Sequence, residues 1–364
     1  MGDGIPERWA TFARTTASTY QRLHLTPILT SLGIKSFSGS LTPAEIEQVA
    51  EDPAIKTLQT SRAAEPETWK ALNAGLFSRR PDICLRVYGS YGSQLNLNFL
   101  SLLPNVQHFT ANCLSDAIGI EHVASLPNLK SLHVGIVSLK NFDFLKDVSA
   151  ATLESLGLEA TSSKAPALPL LSSFKNLRTL FLERQQKCID VISELNLLED
   201  VTLRSITTPN VSYLAPLPRL RRLAIKLGGT NNLSALEQVQ SIEFLELWQV
   251  RGLRDLSVLS SLQRLETLFL QALPHVKELP DLSQLQHLRR IGLDNMRGLT
   301  KTRAHETAPA LESFTFASTT GLDPKHFEAL ANVVTLKHVA LRFGSRRKNE
   351  AFRQFMTAAG KSAA

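Results

Sequence analysis

Residues able to do covalent chemistry are few in this chain, and they are spread out. Cys84, His108 and His133 follow one another at nearly equal intervals, with Arg86 close to the cysteine. A cysteine beside a cation, with histidine bases near, is what thiol nucleophilic catalysis needs. The Cys84, His108 and His133 region is therefore where an enzyme or ligand sensor would keep its site. No carboxylate completes a dyad there in sequence, and a small buried hydrophobe is the favoured role for Cys84. The chain has no G-x-x-x-x-G-K-[ST], no H-E-x-x-H and no G-x-S-x-G. A second set of residues carries recognition chemistry instead. Phe181, Phe244, Trp248 and Phe269 fall among Glu183, Arg204, Arg222, Lys226, Glu246, Gln271, Arg290 and Asp294. Large rings interleaved with Arg and Glu have the composition of a protein interface centre.

What must position these residues is a repeat. Leu220, Leu223 and Ile225 fit L-x-x-L-x-L, and Ile242, Leu245 and Leu247 fit it again one period later. First template positions fall at Val106, Leu129, Leu153, Leu177, Leu198, Leu220, Ile242, Leu265, Leu288, Leu311 and Leu336. A repeat of this pattern, with a period inside the range of roughly 20–29 residues, marks a leucine-rich-repeat solenoid. Before that array the pattern is irregular. "IKSF" (Ile34, Phe37) and "IKTL" (Ile55, Leu58) read as degenerate strands with Ile34 aligned on Ile55, and "ICLRVY" (Leu85, Val87) as a strand whose first template position is Asp82. Thr42-Pro43-Ala44-Glu45 is a capping box that turns Ile46 and Val49 inward. A helix is predicted from Pro66 to Leu76, burying Trp69, Leu72 and Leu76.

The leucines point inward, so the intervening residues point out, by strand alternation. Stacked units place the outward residues in columns about 4.8 Å apart. One column reads Thr110, His133, Gly157, Phe181, Thr202, Ala224, Glu246, Phe269 and Gly292. A second reads Asn112, Gly135, Glu159, Glu183, Arg204, Lys226, Trp248, Gln271 and Asp294, and a third contains Asp200, Arg222, Phe244, Thr267 and Arg290. The aromatics are expected to aim at solvent in the central and later units, while the flanks run to Ser, Thr, Gly and Ala. The returns between units, such as Val211 to Leu217, are rich in Pro and Ser. They predict single turns of 3-10 or α-helix, or extended segments, on the convex side.

The ends read as helices. Ile5 to Leu23 places Trp9, Phe12, Ala13, Ala17 and Tyr20 near one face. Arg347 to Ala358 places Phe352, Phe355 and Met356 at i, i+3 and i+4. Both are read as caps, since a solenoid otherwise exposes its terminal cores. The division is 1–30 for an N-terminal cap, 31–345 for the array (irregular to about 100) and 346–364 for a C-terminal cap.

Composition sets the remaining bounds. No apolar run is long enough to span a membrane, and Met-Gly-Asp-Gly-Ile-Pro has Pro6 where a myristoylation start wants Ser or Thr. Cys84, Cys113 and Cys188 are an odd, wide set that fits neither disulfides nor a zinc site. A reducing cytoplasm is the expected compartment. The net charge of +7 is dispersed, with one run at Arg346-Arg347-Lys348. That disfavours nucleic acid, leaving RNA binding as an alternative, and points toward an acidic protein partner.

"LPNLKSLHV" (Leu126 to Val134), the unit from Asp255 to Leu270 and "LSQLQHLRRIGL" (Leu282 to Leu293) resemble the short repeats of internalin-type leucine-rich-repeat proteins. The resemblance covers roughly residues 100–345 and implies a right-handed α/β solenoid. A curved parallel β-sheet would form its concave face, with short returns behind. It departs from the family at the ninth template position, where asparagine is usual. Here that position reads Leu114, Val137, Thr161, Gln185, Ile206, Gly228, Val250, Leu273, Met296 and Thr319. Buried turn amides therefore need other partners. The function expected is a non-enzymatic protein-binding module, monomeric when free and without cofactor, metal or membrane contact. Its concave face would use the twelve aromatic, charged and amide residues named above.

Overall fold

One unit cannot bury enough apolar surface to fold alone, so each must hand its open faces to its neighbours. The computed structural model shows how, and describes residues 33–89, 94–163, 167–301, 307–317 and 322–361. The expected N-terminal helix lies outside these residues. The strands are β1 (Ile34–Ser36), β2 (Thr57–Thr60), β3 (Cys84–Tyr88), β4 (Leu95–Asn96), β5 (His108–Leu114), β6 (Ala117–Ile118), β7 (Ser131–Ile136) and β8 (Ser155–Leu158). They continue as β9 (Thr179–Glu183), β10 (Asp200–Arg204), β11 (Arg222–Lys226), β12 (Phe244–Trp248), β13 (Thr267–Gln271), β14 (Arg290–Asp294), β15 (Ser313–Ala317) and β16 (His338–Arg342). All but β4 and β6 form one parallel sheet in chain order, and β4 pairs with β6 alone.

The register repeats the template unit by unit. Leu223 lies opposite Val201 on one side and Leu245 on the other, and Leu245 opposite Leu268. All four are fully buried. Behind the sheet the returns are 3-10 turns, among them Ser212–Leu214, Ser234–Gln238 and Ser257–Ser261.

Two early expectations need correction. In β1 the partner of Ile34 is Thr57, not Ile55. Ile55 precedes its strand and Phe37 follows its own, so these apolar residues occupy different template places. Asp82, at the first template position of its unit, is exposed, and the neighbouring Ile83 fills the core. Arg80 Nε at 2.8 Å and Lys56 Nζ at 3.2 Å hold the Asp82 carboxyl well below the usual carboxylate range.

The helices follow their sequence signals. In α1 (Pro43–Glu51) the Thr42 and Glu45 side chains cap each other's backbone N–H groups, and Ile46 and Val49 are buried. α2 (Pro66–Leu72) ends earlier than predicted. Asn73–Phe77 widens into a π turn that still buries Leu76 and Phe77. At the other end α3 (Arg346–Ala358) buries Phe352 and Met356. Phe352 meets Phe343 with ring centroids 6.2 Å apart, and Phe316, Phe327 and Phe343 pack against one another with centroids 4.8, 5.8 and 5.7 Å apart.

The missing asparagines are replaced by backbone. At the eighth template position the non-glycine residues Cys113, Arg184, Ser205, Leu227, Gln249, Ala272 and Asn295 all have positive φ, between 50° and 63°. From Arg184 onward this left-handed turn aims the N–H at the next rung. Ser205 N donates to Lys226 O at 2.7 Å, Leu227 N to Trp248 O at 2.8 Å and Ala272 N to Asp294 O at 2.9 Å. The ninth position is thereby free to be apolar, and Leu114, Ile206, Val250, Leu273 and Met296 are all buried.

Candidate partner-binding face

The strands put every candidate recognition residue on the outward face of the sheet. Phe181, Glu246 and Phe269 share the first column; Glu183, Arg204, Lys226, Trp248, Gln271 and Asp294 share the second; Arg222, Phe244 and Arg290 share the third. The columns are those expected, but the exposure is not. Phe181 is 5% and Phe244 8% exposed, so these rings do not aim at solvent. Rungs about 4.8 Å apart on a concave surface bring outward side chains against one another. The Arg222 guanidinium lies 4.2 Å from the centre of the Phe244 ring. The His133 ring lies 5.4 Å from that of Phe181.

The charges are also covered by their neighbours. Lys226 Nζ lies 2.8 Å from Glu246 Oε2, with both side chains at most 10% exposed. Arg222 pairs with Asp200 at 3.4 Å and Arg204 with Glu183 at 3.5 Å. Gln271 Nε2 donates to Asp294 at 2.7 Å. Burial raises the Asp200 carboxyl above its ordinary value despite Arg222, and burial raises Asp294 likewise. Above this paired floor, Trp248, Phe269 and Arg290 remain half-buried.

A second polar cluster occupies the earlier rungs, outside the aromatic and charged patch favoured from the sequence. His133 Nε2 and Glu159 Oε1 are 2.7 Å apart, and His133 is 1% exposed. Two glycines make this possible. A Cβ on Gly157 would lie 2.0 Å from His133 Nδ1, and one on Gly135 would lie 2.2 Å from Glu159 Oε2. Each side chain thus lies across the gap left by the other strand's glycine. Asn112 Nδ2 donates to Glu159 at 3.4 Å, Arg86 Nε to Asn112 Oδ1 at 2.9 Å and Arg86 Nη1 to Gln59 Oε1 at 2.7 Å. Glycine at outward positions of adjacent units was the available signal.

The region that could have held a catalytic thiol is arranged otherwise. Cys84 is not the core residue expected: it stands half-buried in an outward column of β3, the register neighbour of His108, with its Sγ 3.6 Å from Thr110 Oγ1. Burial pushes the thiol up to about 11, and burial lowers the His108 imidazole from its ordinary value. A thiol so protonated is a poor nucleophile at neutral pH. Among the described residues no three His, Cys, Asp or Glu gather as metal ligands. No helix there is long and apolar enough to cross a membrane.

No family profile and no curated protein matches the sequence. Solved structures do match. An internalin from Listeria monocytogenes shares 15% identity over 86% of this chain and 82% of its own, with a TM-score of 0.50. A leucine-rich-repeat protein of Leptospira interrogans shares 14% identity over 92% of this chain and 94% of its own, also at 0.50. Mouse RP105, solved with MD-1, shares 14% identity over 91% of this chain and 63% of its own, at 0.52. With its short-strand parallel sheet, 3-10 returns and buried template leucines, the chain has the fold of a leucine-rich-repeat solenoid of the kind seen in internalins.

Proposed function

We propose that this chain is a non-enzymatic module that holds a partner protein against the concave face of its sheet, as an adaptor, a toxin-neutralising protein or an effector would. The observation that carries this reading is Trp248. It stays half-exposed on a face where Phe181 and Phe244 are buried against their neighbours. An aromatic surrounded by a rigid, internally paired floor is how interface anchors are presented. Phe181, Phe244 and the Lys226–Glu246 pair form the floor. Trp248, Phe269, Gln271 and Arg290 are the contacts, bordered by Glu183, Arg204, Arg222 and Asp294. The similar RP105 solenoid was solved with a protein, MD-1, in complex, which supports a protein as the occupant. Cytoplasmic residence is supported by free, exposed Cys113 and Cys188.

Glu159 does give His133 the carboxylate partner the sequence did not show, but the rival enzymatic reading loses ground to the protonated Cys84 thiol. A photo-crosslinking residue at position 269 or 271, against controls at Ser260 and Gln286 on the returns, tests the proposal in cells. A discrete protein adduct from the sheet positions alone is expected. Equal adducts at all four positions, or adducts removed by ribonuclease, would overturn it.

A further inference from the structure

The two rims of the sheet carry their charge differently. On the rim before the strands, the second residue of successive units alternates in sign, as Lys130, Glu154, Arg178, Glu199, Arg221 and Glu243. Neighbouring rungs pair there: Arg178 with Glu199, Arg221 with Glu243 at 2.7 Å and Arg289 with Glu312 at 3.0 Å. That rim neutralises itself.

The rim after β12, β13 and β14 does not. Arg251, Arg254, Lys277 and Arg297 are exposed on it, and none forms an ion pair with a carboxylate among the described residues. The nearby carboxylates are committed elsewhere. Asp255 accepts from Ser257 N at 2.8 Å, Asp281 from Ser283 N at 3.0 Å, and Glu278 pairs with Lys301 at 2.7 Å. Backbone pairing keeps the cations in step. Counted from Ile242 and Leu265, Arg254 and Lys277 hold the same template place in adjacent units. Counted from Ile242 and Leu288, Arg251 and Arg297 hold the same place two units apart. Arg251 bridges Gly229 in the rung before, and Thr300 N donates to Lys277 O at 2.9 Å in the rung after. An open depression between two of these rungs is lined by Arg254, His275 and Lys277 together with Asp255 and Glu278, the two carboxylates engaged by Ser257 and Lys301. Trp248 ends β12 just before Arg251. It is half-buried there.

We propose that this rim, with Trp248 at its concave edge, captures an acidic extended segment of a protein partner. Carboxylates of that segment meet the guanidinium and ammonium groups of two or three rungs, and an acceptor beside them takes the indole N–H. A peptide can place its acidic residues at the cations alone. A nucleic-acid strand carries a phosphate at every nucleotide and would have to pass Asp255, Glu278 and Asp281 on the same rim. The inference rests on the concave-face reading above and names the chemistry of its partner.

The test uses a labelled short peptide in which glutamates are spaced by serines, on the full chain, with oligouridine of matching length as a second probe. The peptide is expected to bind more tightly than the oligouridine. Reversing Arg251, Arg254, Lys277 and Arg297 together to Glu is expected to weaken the peptide by roughly tenfold or more. Reversing Lys130, Arg178, Arg221 and Arg289 to Glu changes net charge equally and should leave binding within about twofold. Circular dichroism checks the fold of both variants. Equal losses from both rims, tighter oligouridine binding, or no peptide binding by the wild type would each overturn the inference. Crosslinking from position 269 in the Arg251, Arg254, Lys277 and Arg297 variant separates the two ideas. Undiminished partner capture sinks the rim and leaves the concave face standing. Absence of capture by the wild type sinks the concave face, while the peptide titration still reads the rim.

Discussion

At the residue scale, the concave face is mostly occupied with itself. Phe244 lies under Arg222, Lys226 is paired with Glu246, and Phe181 sits against His133. Truncating any of these would disturb fold and binding together. Trp248 is the position where the two effects separate. Trp248→Ala is expected to shift unfolding free energy by under about 1 kcal/mol in a urea titration. The same change should weaken the crosslinked partner by about 2 kcal/mol, roughly thirtyfold. A large loss of stability would mean the ring is core. The cysteines make a second residue-scale test. With its thiol pushed up to about 11, Cys84 should resist iodoacetamide at neutral pH in the folded protein. The exposed Cys113 and Cys188 should alkylate readily. Rapid, selective labelling of Cys84, read by peptide mass mapping, would revive the enzymatic reading.

At the scale of the element, the unit is defined by two features, an inward leucine set and a left-handed turn. Leu268 is fully buried between Leu245 and Ile291. Leu268→Asp would bury an unpaired carboxylate, and loss of native circular dichroism or a marked fall in melting temperature is expected. A native spectrum with an unchanged melting temperature would show the register to be wrong. The turn gives a prediction of the opposite sign. Ala272 has φ of 53°, a conformation that opposes any side chain by about 1–2 kcal/mol. Glycine relieves that strain but loses about 0.4–1 kcal/mol through the freer unfolded chain. Ala272→Gly should therefore stabilise by up to about 1 kcal/mol. Ala224→Gly, inside β11, should destabilise by roughly 0.5–1 kcal/mol. If both changes lower the denaturation midpoint equally, the left-handed turn is not where the strain lies.

Across the whole molecule, each rung touches only its neighbours, so the ends should unravel without the middle. Phe352, 2% exposed, covers the last rungs through Phe343 and the ring cluster behind it. Phe352→Asp is expected to speed amide exchange in β16 and β15 while β9 to β11 keep their protection. Uniform loss of protection would mean the array melts as one body, against the cap role given to α3. Charge is likewise distributed by rim: one rim cancels its own alternating signs, and the other gathers cations over three rungs.

The period and phase of the leucines were legible without coordinates, because inward positions are set by alternation and every unit repeats the same burial requirement. The capping box at Thr42 and Glu45 was legible for a similar reason, since its partners stand at i and i+3. Which outward residues face solvent was not. Phe181 and Trp248 are both large outward aromatics, and only the rungs on either side decide that one is covered and the other half-open. Gly135 and Gly157 are visible in the sequence as small outward residues, but not what fills the space beside them. In the fold they are the spaces into which Glu159 and His133 lean, because a side chain on a parallel sheet reaches across to the next rung. The loss of the asparagine ladder was visible, but its replacement was not. A positive φ at Leu227 or Ala272 has no residue-type signature and is imposed by the hydrogen bond to the rung that follows.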